Sequence, residues 1–214
     1  MLVIPTFLAA LLGASTPAIA APLPSSPSSE APRADVAVET YNAIGLEGVM
    51  KAEAFLAALD KCAAKKVKAR MLAVADMTLP STEKRLYLID LEKRQLVLRT
   101  YVAHGQNTGE LMAEHFSNKE GSHQSSLGLH RVGAEIVSPK HGAALLLHGL
   151  EKGVNDKALQ REIIMHGADY VSEEFIAEHG RLGRSWGCPS IPRGDMALMI
   201  RLLADGGLLF VHGG

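Results

Sequence analysis

The stretch richest in chemistry runs Ile164-Met165-His166-Gly167-Ala168-Asp169-Tyr170, followed by Gly180-Arg181-Leu182-Gly183-Arg184-Ser185-Trp186-Gly187-Cys188-Pro189. His166 closes an apolar run, and the glycine after it lets the backbone turn away, so its ring is expected at a sheet rim facing a cleft. Cys188 stands between Gly187 and Pro189, a setting that suits neither a helix interior nor a strand interior. Arg181 and Arg184 lie just upstream, and positive charge favours thiolate over thiol. A histidine at a strand end and a cysteine in a basic, glycine-rich loop are the parts of a Cys–His nucleophilic pair. The base would take the thiol proton and the sulfur would attack a carbonyl. Backbone N–H groups around Gly187 and Cys188 would hold the oxyanion.

Other chemistries are less well supplied. Cys62, the second of two cysteines, falls on an apolar helical stripe with Phe55 and Leu59 and reads as a core residue rather than a disulfide partner of Cys188. Six of the nine histidines precede glycine, yet no H-E-x-x-H or H-x-H spacing occurs, so no metal and no cofactor is expected. Gly183-Arg184-Ser185-Trp186-Gly187 matches G-x-S-x-G, but a nucleophile elbow needs a buried strand before the serine and a helix after it. A serine hydrolase using Ser185 is therefore a lesser alternative. Ser81-Thr82-Glu83-Lys84 matches S-x-x-K without the K-T-G or S-D-N that should accompany it.

The strand ending in His-Gly and the following S-x-G-C loop resemble the L,D-transpeptidase (YkuD-type) catalytic domain of bacterial cell-wall enzymes. The branch looks like the murein L,D-transpeptidase catalytic domain proteins, with a pattern close to HGADYVS…GRxGRSxGCP. The resemblance covers roughly residues 84–214. It includes the hairpin Leu86–Val102, Ser126-Leu127-Gly128 and Gly149-Leu150-Glu151…Asn155. It implies that Cys188 is the acylated nucleophile, His166 the base, and the main chain beside Gly167 the group that orients that base. Ser185 and Gly187 match the small residues of the motif. Trp186 stands where the broader family usually has a second histidine, and Pro189 precedes no Arg or Asn at the expected place.

The implied reaction is attack by Cys188 on a peptidoglycan stem tetrapeptide, at the carbonyl between the third residue and the terminal D-Ala. An amine of a neighbouring stem would then give a 3→3 cross-link or attachment, and water would give L,D-carboxypeptidase trimming. Arg181, Arg184 and Arg193 are candidate clamps for stem carboxylates, with Trp186 and Tyr170 as further substrate contacts. A module that binds stems without turnover is the non-catalytic alternative.

These residues need a scaffold, and the rest of the chain supplies one. The composition, with 47% hydrophobic and 21% charged residues over 214, suits one globular core. A net charge of −1 and 5% aromatic residues give no nucleic-acid footprint. Apolar positions recur at helical period between Leu46 and Ala64, predicting an amphipathic helix. Met71–Met77, Leu86–Asp90, Gln95–Val102, Ala143–His148, Glu162–His166 and Leu208–His212 read as strands. Ser172 opens a short helix that Gly180 ends, and Asp195 is expected to cap a helix reaching Ala204. The class is α+β: a mainly antiparallel, β-sandwich-like domain with short peripheral helices.

The N-terminus reads as an export signal. Met1–Gly13 is almost wholly apolar, too short to span a membrane, and Ala18 and Ala20 form an A-x-A cleavage pattern. Residues 1–20 are thus a signal peptide, and 21–45 a Pro/Ser-rich linker. Residues 46–214 form the catalytic domain of an exported protein of the bacterial periplasm or cell envelope, with no stable membrane anchor after cleavage.

Overall fold

The computed structural model describes residues 1–2 and 31–214, so the signal-peptide reading lies outside the described residues. In chain order the helices are α1 (Ala31–Ile44), α2 (Ala52–Ala64), α3 (Glu173–His179) and α4 (Met196–Leu203). The strands are β1 (Met71–Asp76), β2 (Leu86–Asp90), β3 (Gln95–Thr100), β4 (Gly128–Ser138), β5 (Gly142–Gly149), β6 (Ile164–Gly167), β7 (Ser190–Ile191) and β8 (Leu208–His212). They form one mixed sheet in the order β3-β2-β1-β8-β4-β5-β6-β7. Among the described residues only β1 with β8 and β6 with β7 pair as parallel strands. The chain leaving β3 returns to the far edge, where Ala103 bridges Ser190 and Gly105 bridges Ser185. The two layers expected of a sandwich are thus parts of one sheet that closes on itself, nearly as a barrel.

Side-chain alternation along the central strands divides the core in two. Met71, Ala73 and Ala75 of β1, Leu86 and Leu88 of β2, and Leu209 and Val211 of β8 point to one side and meet Met199 and Leu203 of α4. Leu72, Val74, Tyr87, Ile89, Leu208 and Phe210 point to the other and are covered by Ala54, Phe55, Ala58 and Cys62 of α2. Strands buried on both faces read as unbroken apolar runs, which is why β1, β2 and β8 show in the sequence. Full burial of Phe55 contributes about 2–3 kcal/mol.

Three local expectations change. Residues 31–44, inside the stretch read as linker, form α1, with Ala37 and Tyr41 buried; Tyr41 Oη donates to the carbonyls of Leu46 and Met50. Strand β4, the longest, lay in a stretch with no strand reading. Asp195 does not cap α4: its carboxylate accepts instead from Thr100 Oγ1 at 2.6 Å. The other short helix follows its signals, with Ser172 Oγ accepting from Phe175 N and Gly180 left-handed at φ 72°. No helix among the described residues is long and apolar enough to cross a membrane.

Candidate active site

His166 and Cys188 reach the same end of the sheet because β7 runs parallel to β6, with His166 opposite Ser190 and Gly167 opposite Ile191. Cys188 precedes β7 by two residues. His166 is buried, and its Nδ1 lies 3.1 Å from the Gly167 carbonyl. A carbonyl only accepts, so Nδ1 carries the proton and Nε2 is the free base. That nitrogen is met at 3.0 Å by Ser190 Oγ, which lies 2.9 Å from Tyr170 Oη. The consistent order is Tyr170 donating to Ser190, Ser190 to His166, and His166 to Gly167. Burial, above all, and the nearby His141 and Arg193 hold the His166 imidazolium down to a pKa of about 4, although the Gly167 carbonyl opposes the shift. The ring is therefore neutral at pH 7.

His141, at the turn of the β4–β5 hairpin, covers that ring, the two stacked with centroids 3.7 Å apart. The preceding residue, Lys140, places its ammonium 4.2 Å above the Trp186 ring, which also stacks on His123 at 5.0 Å. Trp186 is itself 62% exposed, so the hairpin tip rests on both the base and the most prominent surface aromatic of the cysteine loop.

Cys188 is a free, half-buried thiol. Its Sγ lies 3.8 Å from the Glu162 carbonyl, and among the described residues it makes no hydrogen bond to His166. Burial raises the thiol titration, while the Ile164 amide and Arg161 oppose that rise. Arg181 and Arg184, expected to favour the thiolate, are both tied to Glu110, at 3.0 and 2.6 Å, and the cation beside the thiol is Arg161. Arg193 is likewise paired, with Asp169. The three arginines proposed as clamps therefore carry partly compensated charge.

The loop itself is braced from within. Ser185 Oγ donates to the Cys188 carbonyl at 2.6 Å and accepts from Gly187 N at 3.0 Å. The Gly187 amide is thus engaged inside the loop. Ser185 N and O pair with His104 O and Gln106 N, so the strand-serine-helix elbow of a serine hydrolase is absent. Gly187 has φ 122°, and a Cβ there would lie 2.8 Å from the Gln124 carbonyl, so only glycine allows this close approach. Ser125 Oγ, on the same segment, donates to the Gly187 carbonyl.

Three of these groups escaped the sequence reading as site residues: Arg161, Ser190 and Glu110. Ser190 follows directly on the Gly-Cys-Pro run, and period two sets it on the side of Cys188. The other two come from distant segments without a motif.

Fold and loop together define an L,D-transpeptidase-type catalytic domain. The model of the L,D-transpeptidase catalytic domain family matches residues 47–212, and the chain belongs to that family. No curated protein matches it. Similar solved structures include an L,D-transpeptidase from Mycobacterium smegmatis, 12% identical with a TM-score of 0.43 over 68% of this chain and 59% of that one. The helical cell shape determining protein Pgp2 from Campylobacter jejuni is 14% identical, with a TM-score of 0.44 over 68% and 47%. An L,D-transpeptidase from Stackebrandtia nassauensis is 15% identical, with a TM-score of 0.39 over 85% and 78%. The chain thus spans about half to three fifths of the first two of these proteins.

Proposed function

We propose that this protein is a cysteine-dependent peptidoglycan L,D-transpeptidase, exported to the bacterial envelope and acting on stem peptides. The observation that carries the reading is a free thiol, Cys188, two residues upstream of the strand that pairs with His166, in a chain of that family. His166 is neutral with Nε2 unprotonated, the state a general base needs. For the reaction Nε2 exchanges the Ser190 hydroxyl for the Cys188 proton. The thiolate adds to the carbonyl before the terminal D-Ala, and imidazolium protonates the departing amine. The thioester is then resolved by an amine of a second stem, giving a 3→3 link, or by water, giving a trimmed stem.

A strained β-lactam carbonyl is an electrophile for the same sulfur. Incubation with a carbapenem should therefore add its mass to the protein, with the adduct mapped to Cys188, and a stem tetrapeptide should release D-Ala. Cys188→Ser should abolish both, while Cys62→Ser, a change in the core, leaves them standing. Well-folded protein with a reduced Cys188, no adduct and no D-Ala sinks the enzyme reading. One observation favours a stem-binding module in that event: Cys188 Sγ faces the Glu162 carbonyl rather than His166.

A further inference from the structure

Arg161 sits in the turn before β6, and each of its terminal nitrogens is engaged. Nη1 donates to the Ser117 carbonyl at 2.7 Å and to Ser126 Oγ. Nη2 donates to the Gln124 carbonyl at 2.7 Å and to Ser122 Oγ at 3.2 Å. These partners are neutral, so the guanidinium charge is not cancelled where it is bound. The same Nη2 lies 3.3 Å from the position a Cβ would take on Gly187, directly before Cys188. The next residue, Glu162, adopts a left-handed φ of 54°, a conformation that costs a non-glycine residue about 1 kcal/mol or more, and its carbonyl faces the thiol.

We propose that Arg161 is a positioning residue of the reaction: its fork clamps the 117–126 segment against the cysteine loop, and its uncancelled charge favours ionisation of Cys188. The proposal rests on the reading of Cys188 as nucleophile. The groups facing the thiol are Arg161 and the Ile164 amide, which favour thiolate, and Glu162, which opposes it. Tyr170 and His166 lie nearby, both uncharged at pH 7. Arg161 takes the part that Arg181 and Arg184 cannot play while held by Glu110.

The test is the pH dependence of Cys188 alkylation by iodoacetamide, read by peptide mass on the full chain. Arg161→Met, which keeps length and removes charge, should slow alkylation about tenfold between pH 7 and 9, since one unit of thiol titration is a factor of ten in thiolate. Arg161→Lys keeps the charge and should stay within about threefold of wild type. Mere loosening of the loop has the opposite sign, because it exposes the thiol and speeds alkylation at every pH. Equal profiles for the Lys and Met variants overturn the proposal, as does faster alkylation of Arg161→Met. Arg161→Gln supplies the same contrast should the Met variant fail to fold. Carbapenem acylation of the wild type is measured in parallel. A charge-dependent profile without acylation refutes the enzyme reading alone, and acylation with no charge dependence refutes Arg161 alone.

Discussion

At the scale of single residues, Ser190 has the most constrained position in the site. Its hydroxyl, fully buried, joins Tyr170 Oη to His166 Nε2. Ser190→Ala removes one oxygen and leaves two polar atoms short of a partner, which costs about 1–3 kcal/mol when they stay dry. The melting temperature should fall by several degrees. Tyr170→Phe on top of Ser190→Ala should cost less than the two single losses added together, because the hydroxyl it removes has already lost its acceptor. Strict additivity in thermal melts would show that the chain of hydroxyls is not coupled. The placing of His166 at a strand end and of Cys188 in a loop was legible, because glycine and proline punctuation announces both. Arg161 was not, since it enters from a turn distant in sequence, and no local pattern tells where such a turn lands. The pairing of Arg181 and Arg184 with Glu110 was hidden for a related reason: nothing near them in sequence announces that partner.

At the scale of elements, the β4–β5 hairpin matters most. Its base is part of the sheet, where Gly128–Arg131 pair with β8. Beyond the register shift between Val132 and Glu135 only β5 accompanies it, and several side chains of β4 are exposed there. That half-exposed course, broken by Gly133 and interrupted by Arg131 and Glu135, explains why β4 left no strand signal while the doubly buried β1 and β2 did. The signals for α3 and β8 are local and survived folding, whereas Asp195 preferred Thr100 to its own helix end. The tip of the hairpin brings His141 onto His166. The groups around that imidazole are His141 from the hairpin, Arg193 with Asp169, and the Ser190–Tyr170 pair. His141→Ala opens one face to water and removes one of the opposing charges, so the His166 titration should rise from about 4 toward the ordinary 6.5. The imidazole ε1 resonance followed by NMR across pH 3.5–8 reads this directly. A midpoint still near 4 would assign the burial to the rest of the site and not to the hairpin.

At the scale of the whole molecule, the closed sheet removes several histidines from water at once. His104, His130 and His166 are all buried, and burial holds each to a pKa of about 4. His104 is placed to accept from Arg85, a buried arginine whose other donors go to the carbonyls of Leu79 and Val102. His130 sits at the start of β4 with Nδ1 on the Gly128 carbonyl. In the unfolded chain each would protonate near 6.5. Between that pH and about 4 the unfolded state therefore binds more protons, so stability is complete above 6.5 and is lost as pH falls toward 4. Each such histidine contributes a slope of up to about 1.4 kcal/mol per pH unit inside that window. His130→Asn keeps an N–H donor on a shorter side chain and removes the titration. The variant should be less stable than wild type at pH 7, because the smaller residue leaves space in the core. Urea unfolding at pH 7, 6 and 5 should then show the gap narrowing as the pH falls, by up to about 1.4 kcal/mol per unit. Curves that stay parallel would mean that His130 titrates alike in the folded and unfolded chain, and the acid sensitivity of the fold would have to arise at His104 and His166.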